Sequence, residues 1–204
     1  MPKTALIIVD VQNDFMEGGN LAVGDSRSII DPINALRENG RYALIVLTQD
    51  WHPADHSSFA SNNEGAEVMS TITSPTGLPG VAWPDHCVQG SEGAEFYADL
   101  KTKNTDVVVR KGTDTAVDSY SGFMDNDKQT KTDLEKILRA NGITHVHIVG
   151  LAADYCVGFT ALDAVDAGFN ATLFTDCTRP VGADSWGEMQ AKLAEKGVTL
   201  TESV

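Results

Sequence analysis

Cys156 sits where a thiol can be made reactive. It follows the apolar run 145–150 by a short turn, Gly150-Leu-Ala-Ala-Asp-Tyr155, and stands before a helical pattern over 157–167. The first turn of a helix carries unpaired N–H groups and the positive end of the dipole, which favour a thiolate and can also receive an oxyanion. A free thiol is only slightly ionised near neutral pH, so it needs a partner. Asp10 and Lys111 lie at the ends of two other apolar runs. A buried carboxylate beside an ammonium stays ionised, can take the thiol proton, and can return it to a departing amine. Each residue alone has a plainer use, as a packed cysteine or a buried ion pair. Together they supply nucleophile, base and cation for a covalent mechanism without histidine.

A second group could hold a metal. Asp50 and His52 are two residues apart at the end of an apolar run and point the same way if the extended chain continues. His86 lies in Trp83-Pro-Asp-His-Cys87. One carboxylate and two imidazoles suit zinc, iron or manganese, with water in the remaining positions. Asp55 and His56 are competing ligands that spacing does not dismiss, whereas His145 and His147, within a strand-like run, read as structural or surface residues. Phe15, Trp83, Tyr120 and Tyr155 lie around the same stretches as Asp10, His86, Lys111 and Cys156, and Trp51 lies beside Asp50. Such rings could sandwich a flat ligand, and each one alone could equally be core.

The elements that must position these residues are legible as apolar runs. Residues 5–11, 42–49, 106–111, 145–150 and 171–175 read as strands, with 198–201 as a short sixth. The runs are continuous rather than alternating, as in strands buried on both faces. Helical spacing appears in Ile29, Ile33 and Leu36, with Pro32 near the start, and in Leu134, Ile137 and Leu138. It recurs in Val157, Ala161, Ala164 and Val165, and in Met189 and Leu193. Strands alternating with helices predict an α/β fold: a doubly wound, mainly parallel sheet of five to six strands with helices on both faces. The stretches 53–88 and 112–127 break the rhythm, and no linker or repeat divides the chain, so residues 1–204 read as a single domain. In such sheets ligands bind beyond the carboxyl ends of the strands, where Asp10, Asp50, Lys111 and the segment after Gly150 fall.

Composition narrows the function classes. Lys and Arg number 15 against 29 Asp and Glu, a net charge of -14, opposite in sign to a nucleic-acid binder or a protein docked on anionic lipid. No apolar run reaches the about 18 residues of a membrane span. The N-terminus reads as a first strand rather than a signal peptide. Three cysteines (Cys87, Cys156 and Cys177) without C-x-x-C spacing argue against a disulfide framework and for a reducing cytoplasm.

Taken in order, the segments resemble one family. Residues 7–15 (IIVDVQNDF) with 17–23 (EGGNLAV), 48–53 (TQDWHP), 83–88 (WPDHCV), Lys111-Gly112 with 120–123 (YSGF), 149–157 (VGLAADYCV) and 176–179 (DCTR) are similar to the nicotinamidases and pyrazinamidases among the isochorismatase-like cysteine hydrolases. The resemblance spans nearly the whole chain. It implies that Asp10, Lys111 and Cys156 form the catalytic triad, and that Asp50, His52 and His86 hold one divalent metal, zinc first, iron or manganese as alternatives. It implies a non-prolyl cis peptide at Leu151–Ala152, oxyanion donors in the amides of Ala152 and Cys156, and a pocket of Phe15, Leu21, Trp83, Tyr120 and Tyr155. Whether His56 or Ser58 adds a metal ligand, and what the 62–80 loop contributes to the pocket, stay open. The implied activity is hydrolysis of a small pyridine carboxamide, nicotinamide, to nicotinic acid and ammonia in NAD salvage, with a homo-oligomer left open. Two rivals stand beside it: a metal-free isochorismatase-like, ureido or amide hydrolase sharing the triad, and a ligand-binding or redox-sensing protein using Cys156 without turnover.

Overall fold

The computed structural model describes residues 2–203. Six strands form one wholly parallel sheet: β1 (Lys3–Val9), β2 (Leu44–Asp50), then β5 (Val107–Lys111), β6 (Ile143–Leu151), β7 (Asn170–Arg179) and β8 (Thr199–Thr201). The two intervening strands, β3 (Thr71–Thr73) and β4 (Pro79–Val81), make a separate antiparallel hairpin in the stretch that had no readable period. The spatial order is β5-β2-β1-β6-β7-β8. The chain therefore winds outward from β1 through β2 to β5 and returns to the other side of β1 at β6. That reversal is the place where open parallel sheets leave a crevice.

Four helices cover the faces: α1 (Ile30–Glu38), α2 (Leu134–Ala140), α3 (Gly158–Asp166) and α4 (Ala183–Lys196). The unbroken apolar character of β1 follows from this layering. Ala5, Ile7 and Val9 pack into the core under α2, α3 and α4, while Leu6 and Ile8 pack into the core under α1. Each fully buried Leu or Ile of this kind contributes roughly 1.5–3 kcal/mol of burial. Pro32 lies in the first turn of α1, where its missing N–H is not needed, so it starts the helix rather than kinking it. At the amino end of the sheet the buried Arg37 guanidinium, near the end of α1, pairs with Asp106 at 2.8 Å, just before β5 begins.

Two boundaries differ from the sequence reading in ways that matter. β1 stops at Val9, and Asp10 turns out of the strand with φ 46, a conformation that Asp tolerates better than most residues. Cys156 does not sit at the start of a regular helix. It lies in a π turn, Ala153–Val157, in which the Val157 N–H reaches back five residues to the Ala152 carbonyl at 3.1 Å; α3 starts only at Gly158. No helix among the described residues is long and apolar enough to cross a membrane.

Candidate active site

Four adjacent strands deliver one charged or nucleophilic group each at their carboxyl ends. Across the sheet these are Lys111 from β5, Asp50 from β2, Asp10 just beyond β1, and Cys156 in the turn after β6. The register pairs Asp50 with Lys111 and Val9 with Gly150, so the groups arrive at one level. A cis peptide joins Leu151 to Ala152 at the exit of β6.

Lys111 is the hub. Its side chain is completely buried, and Nζ lies 3.0 Å from Asp10 Oδ2, 2.8 Å from Asp50 Oδ1 and 3.4 Å from Cys156 Sγ, and donates to the Ser119 carbonyl at 2.8 Å. Burial works against the ammonium, but Asp10 and Asp50 outweigh it and hold its pKa well above the ordinary lysine value. Asp10 is fully buried. Its Oδ1 accepts the Thr48 hydroxyl at 2.6 Å, while Oδ2 has the Lys111 charge beside it but no aligned hydrogen bond. That oxygen is an open acceptor. An oxygen of Asp10, one of Asp50 and the sulfur of Cys156 lie within 4.8 Å of one another. Burial raises the Asp10 pKa, with Lys111 opposing, and burial pushes the Cys156 thiol well up despite Lys111. Burial thus favours the thiol form of Cys156, so the sulfur must give up a proton before it can act as a nucleophile.

Asp50 links this centre to a second one. Its Oδ2 faces His52 Nε2 at 3.1 Å and His86 Nε2 at 3.5 Å. Burial opposes ionisation of Asp50, yet His52 and Lys111 hold its pKa well below the usual carboxylate range. Both histidines are oriented from behind. His52 Nδ1 is 2.8 Å from the Gly112 carbonyl and His86 Nδ1 is 2.8 Å from the Pro84 carbonyl. A carbonyl only accepts, so each Nδ1 carries hydrogen and each ring presents its Nε2 to Asp50. Gly112 has no room for a side chain, since a Cβ there would stand 2.4 Å from the His52 ring. Three buried N and O donors within 4.8 Å, each fixed from behind, fit a divalent cation with open coordination positions.

The remaining histidines divide. His56 stacks beside His52 with ring centroids 4.1 Å apart, but its Nδ1 pairs with the Ser58 hydroxyl at 2.8 Å. Burial and the neighbouring His52 push its pKa down to about 4. His56 groups with His52 and Asp118 rather than with Asp50 and His86, and Asp55 is exposed. His147 pairs with the Tyr42 hydroxyl at 3.0 Å, and His145 lies 2.9 Å from Thr144 Oγ1, both away from the site.

Above these groups opens a cleft of about 350 Å³, lined by Phe15, Leu21, Trp83, Tyr120, Tyr155 and Ala152, with Asp50, His86 and Cys156 at its polar end. Trp83, Tyr120 and Tyr155 meet edge to face, at 4.9 to 6.4 Å between centroids. The structure thus brings together the proposed triad, metal and pocket residues, whereas Trp51, with the Arg110 guanidinium 3.9 Å from its ring, does not line the cleft. The structure adds Asp118 and Val181 to the wall. Val181 is held there by Asp154 of the nucleophile turn, whose carboxylate accepts the N–H groups of Val181 and Gly182 at 2.9 and 3.0 Å. Neither residue had a signal in the sequence, because each arrives from a loop with no motif of its own. None of residues 62–80 lines the cleft; Trp83, two residues beyond β4, does.

A thiol, an acceptor carboxylate and a buried ammonium thus meet at the switch point of a parallel, doubly wound α/β sheet. Residues 4–203 match the isochorismatase domain, and the chain belongs to that family. A nicotinamidase of Acinetobacter baylyi is 45% identical over 192 residues, covering 92% of this chain and 88% of that protein. Among solved structures, a nicotinamidase and pyrazinamidase of Acinetobacter baumanii superposes with a TM-score of 0.94 at 42% identity, over 99% of this chain and 97% of that one. A pyrazinamidase of Pyrococcus horikoshii, solved in complex with zinc, superposes with a TM-score of 0.81 at 36% identity, over 99% of this chain and 100% of that one.

Proposed function

We propose that this protein is a nicotinamidase that converts nicotinamide to nicotinic acid and ammonia through a thioester on Cys156. The observation that carries this reading is the shared carboxylate of Asp50. It ties the Lys111 centre to the His52 and His86 donors, 2.8 Å to one side and 3.1 and 3.5 Å to the other, at the foot of an aromatic cleft. The relatives named above, including the zinc complex, support it.

In this reading Asp10 Oδ2 takes the Cys156 proton as sulfur bonds to the carboxamide carbon. The amides of Ala152 and Cys156 hold the oxyanion. As the oxyanion collapses, the C–N bond breaks and Asp10 gives the proton to departing ammonia, leaving a thioester. Asp10 then takes a proton from water, whose oxygen bonds to the same carbon. The C–S bond breaks, nicotinic acid leaves, and the proton returns to sulfur. Lys111 keeps Asp10 ionised and in place. Phe15, Leu21, Trp83, Tyr120 and Tyr155 clasp the ring. Asp50, His52 and His86 would hold one divalent ion, zinc first, which would supply Lewis acidity toward the ring nitrogen. Three free cysteines support a reducing, cytoplasmic setting.

Ammonia release from nicotinamide and from benzamide, each with and without chelator, tests the proposal. The expected result is turnover of nicotinamide that collapses on chelation and recovers with zinc, while the weaker benzamide reaction changes little. No ammonia from nicotinamide would refute the activity. Equal slowing of both amides would refute the reading of the ring nitrogen, and chelation without effect would point to a metal-free amide hydrolase.

A further inference from the structure

Two buried polar side chains beside the site take no part in this chemistry. Gln12 is fully buried. Its Oε1 accepts the Asp50 N–H at 2.8 Å, and its Nε2 donates to the Asp50 carbonyl at 2.8 Å and to the Ala94 carbonyl at 2.9 Å. Asp50 is the last residue of β2, level with the point where β1 has already ended. The Gln12 amide therefore does there what a neighbouring strand would do: it satisfies both backbone groups of Asp50 and fixes the direction of its carboxylate.

Asp14 does the equivalent for the other loop. Its Oδ2 accepts the Cys87 N–H at 2.7 Å and its Oδ1 accepts the Asn20 N–H at 3.3 Å. Cys87 follows His86 directly and has φ 47, so the chain turns sharply at the point that Asp14 holds. The chain at Gly93 passes so close to this carboxylate that a Cβ would stand 2.0 Å from Asp14 Oδ2. Residues 10, 12 and 14 thus alternate along one segment. Asp10 reaches the sulfur, Gln12 reaches Asp50, and Asp14 reaches the loop of His86.

We infer that Gln12 and Asp14 are positioning residues for metal binding, which fix the two halves of the Asp50–His52–His86 site to the segment that carries Asp10. The inference rests on the reading of those three residues as metal ligands. A merely structural role would cost stability without selective loss of metal, so the readout is metal affinity. Residues that orient ligands from behind commonly account for about 10- to 100-fold in affinity.

The experiment is a zinc titration against a chromophoric chelator, with a thermal melt of each variant. The set is the parent, Gln12→Met, Asp14→Ala, Asp14→Asn, His86→Ala and Arg37→Met. Arg37→Met reports a loss of stability at the far end of the sheet. Gln12→Met and Asp14→Ala are expected to weaken zinc binding at least tenfold. Asp14→Asn, which keeps an acceptor oxygen for the Cys87 N–H, is expected to lie between parent and Asp14→Ala and covers the case in which the alanine variant does not fold. Arg37→Met is expected to bind zinc as the parent does. His86→Ala separates the two ways of failing. If it binds zinc as the parent does, the ligand assignment falls and this inference with it. If it loses zinc while Gln12→Met and Asp14→Asn bind like the parent, the positioning role alone is overturned. Equal loss of affinity in Arg37→Met would also overturn it, since the effect would then be general destabilisation.

Discussion

The three cysteines differ in their neighbours more than in their burial. Cys87 and Cys177 are wholly buried; burial pushes the Cys177 thiol up to about 12 and the Cys87 thiol well above its ordinary value. Cys156 is also pushed up, but it alone lies 3.4 Å from a lysine ammonium and within 4.8 Å of an Asp10 oxygen. Cys156→Ala is therefore expected to lower kcat by about a thousandfold or more with a melting temperature near the parent's, whereas Cys177→Ala keeps turnover within a few fold. Steady-state rates and a melt check both; Cys156→Ala within tenfold of the parent would remove the sulfur from the mechanism. Asp10→Asn keeps the shape and the Thr48 contact but cannot accept and return a proton, so its expected loss is of similar size and lies in kcat rather than KM. Asp10, Asp50, Lys111 and Cys156 were readable because each is chemically conspicuous at the end of an apolar run. Gln12, Asp118 and Val181 were not. Gln12 acts on the backbone of a residue 38 positions away, and such a partner leaves no trace in spacing.

At the level of elements, the strands were legible because burial on both faces forces unbroken apolar runs, and the helices because one face is apolar at regular intervals. Spacing does not carry geometry imposed by tertiary contact. The π turn at Cys156 and the bend at Asp10 answer to neighbouring strands, and the β3–β4 hairpin consists of strands of three residues each, too short to show a period. Gly150 shows how tight this packing is. It lies in β6 with φ +112, and a Cβ on it would stand 2.1 Å from the Val9 carbonyl oxygen. The obstacle is backbone of the adjacent strand, which cannot swing aside. Gly150→Ala is thus expected to push apart β1 and β6 where Asp10 and the nucleophile turn emerge. It should cost more than about 3 kcal/mol and depress turnover even in the folded fraction. Urea unfolding read together with activity per folded molecule checks it, and a variant with parental stability would show that the strands have slack.

For the molecule as a whole, catalysis and stability are placed at opposite ends of one sheet. The carboxyl ends hold a crowd of buried charges, Asp10, Asp50 and Lys111, whose arrangement serves reactivity in the proposed function. The amino ends hold a simpler pair. The Arg37 side chain is fully buried, pairs with Asp106 at 2.8 Å and also donates to the Lys101 carbonyl; Asp106 accepts the Lys103 N–H at 2.8 Å. This knot joins the last turn of α1 to the segment entering β5, the edge strand that carries Lys111 to the other end. Removing one partner of such a pair leaves a buried charge uncompensated, at a cost of about 3–5 kcal/mol. For a chain of this length that corresponds to a fall in melting temperature of roughly 6–20 °C. The register of β5 on β2 runs over five residue pairs from Val107 to Lys111, so loosening its entry need not move its exit. Arg37→Met is therefore expected to melt at a markedly lower temperature while keeping parental kcat and KM for nicotinamide when assayed well below its transition. If its activity fell in step with its stability at low temperature, the two ends of the sheet would be coupled, and β5 would transmit disorder from Asp106 to Lys111 along its whole length.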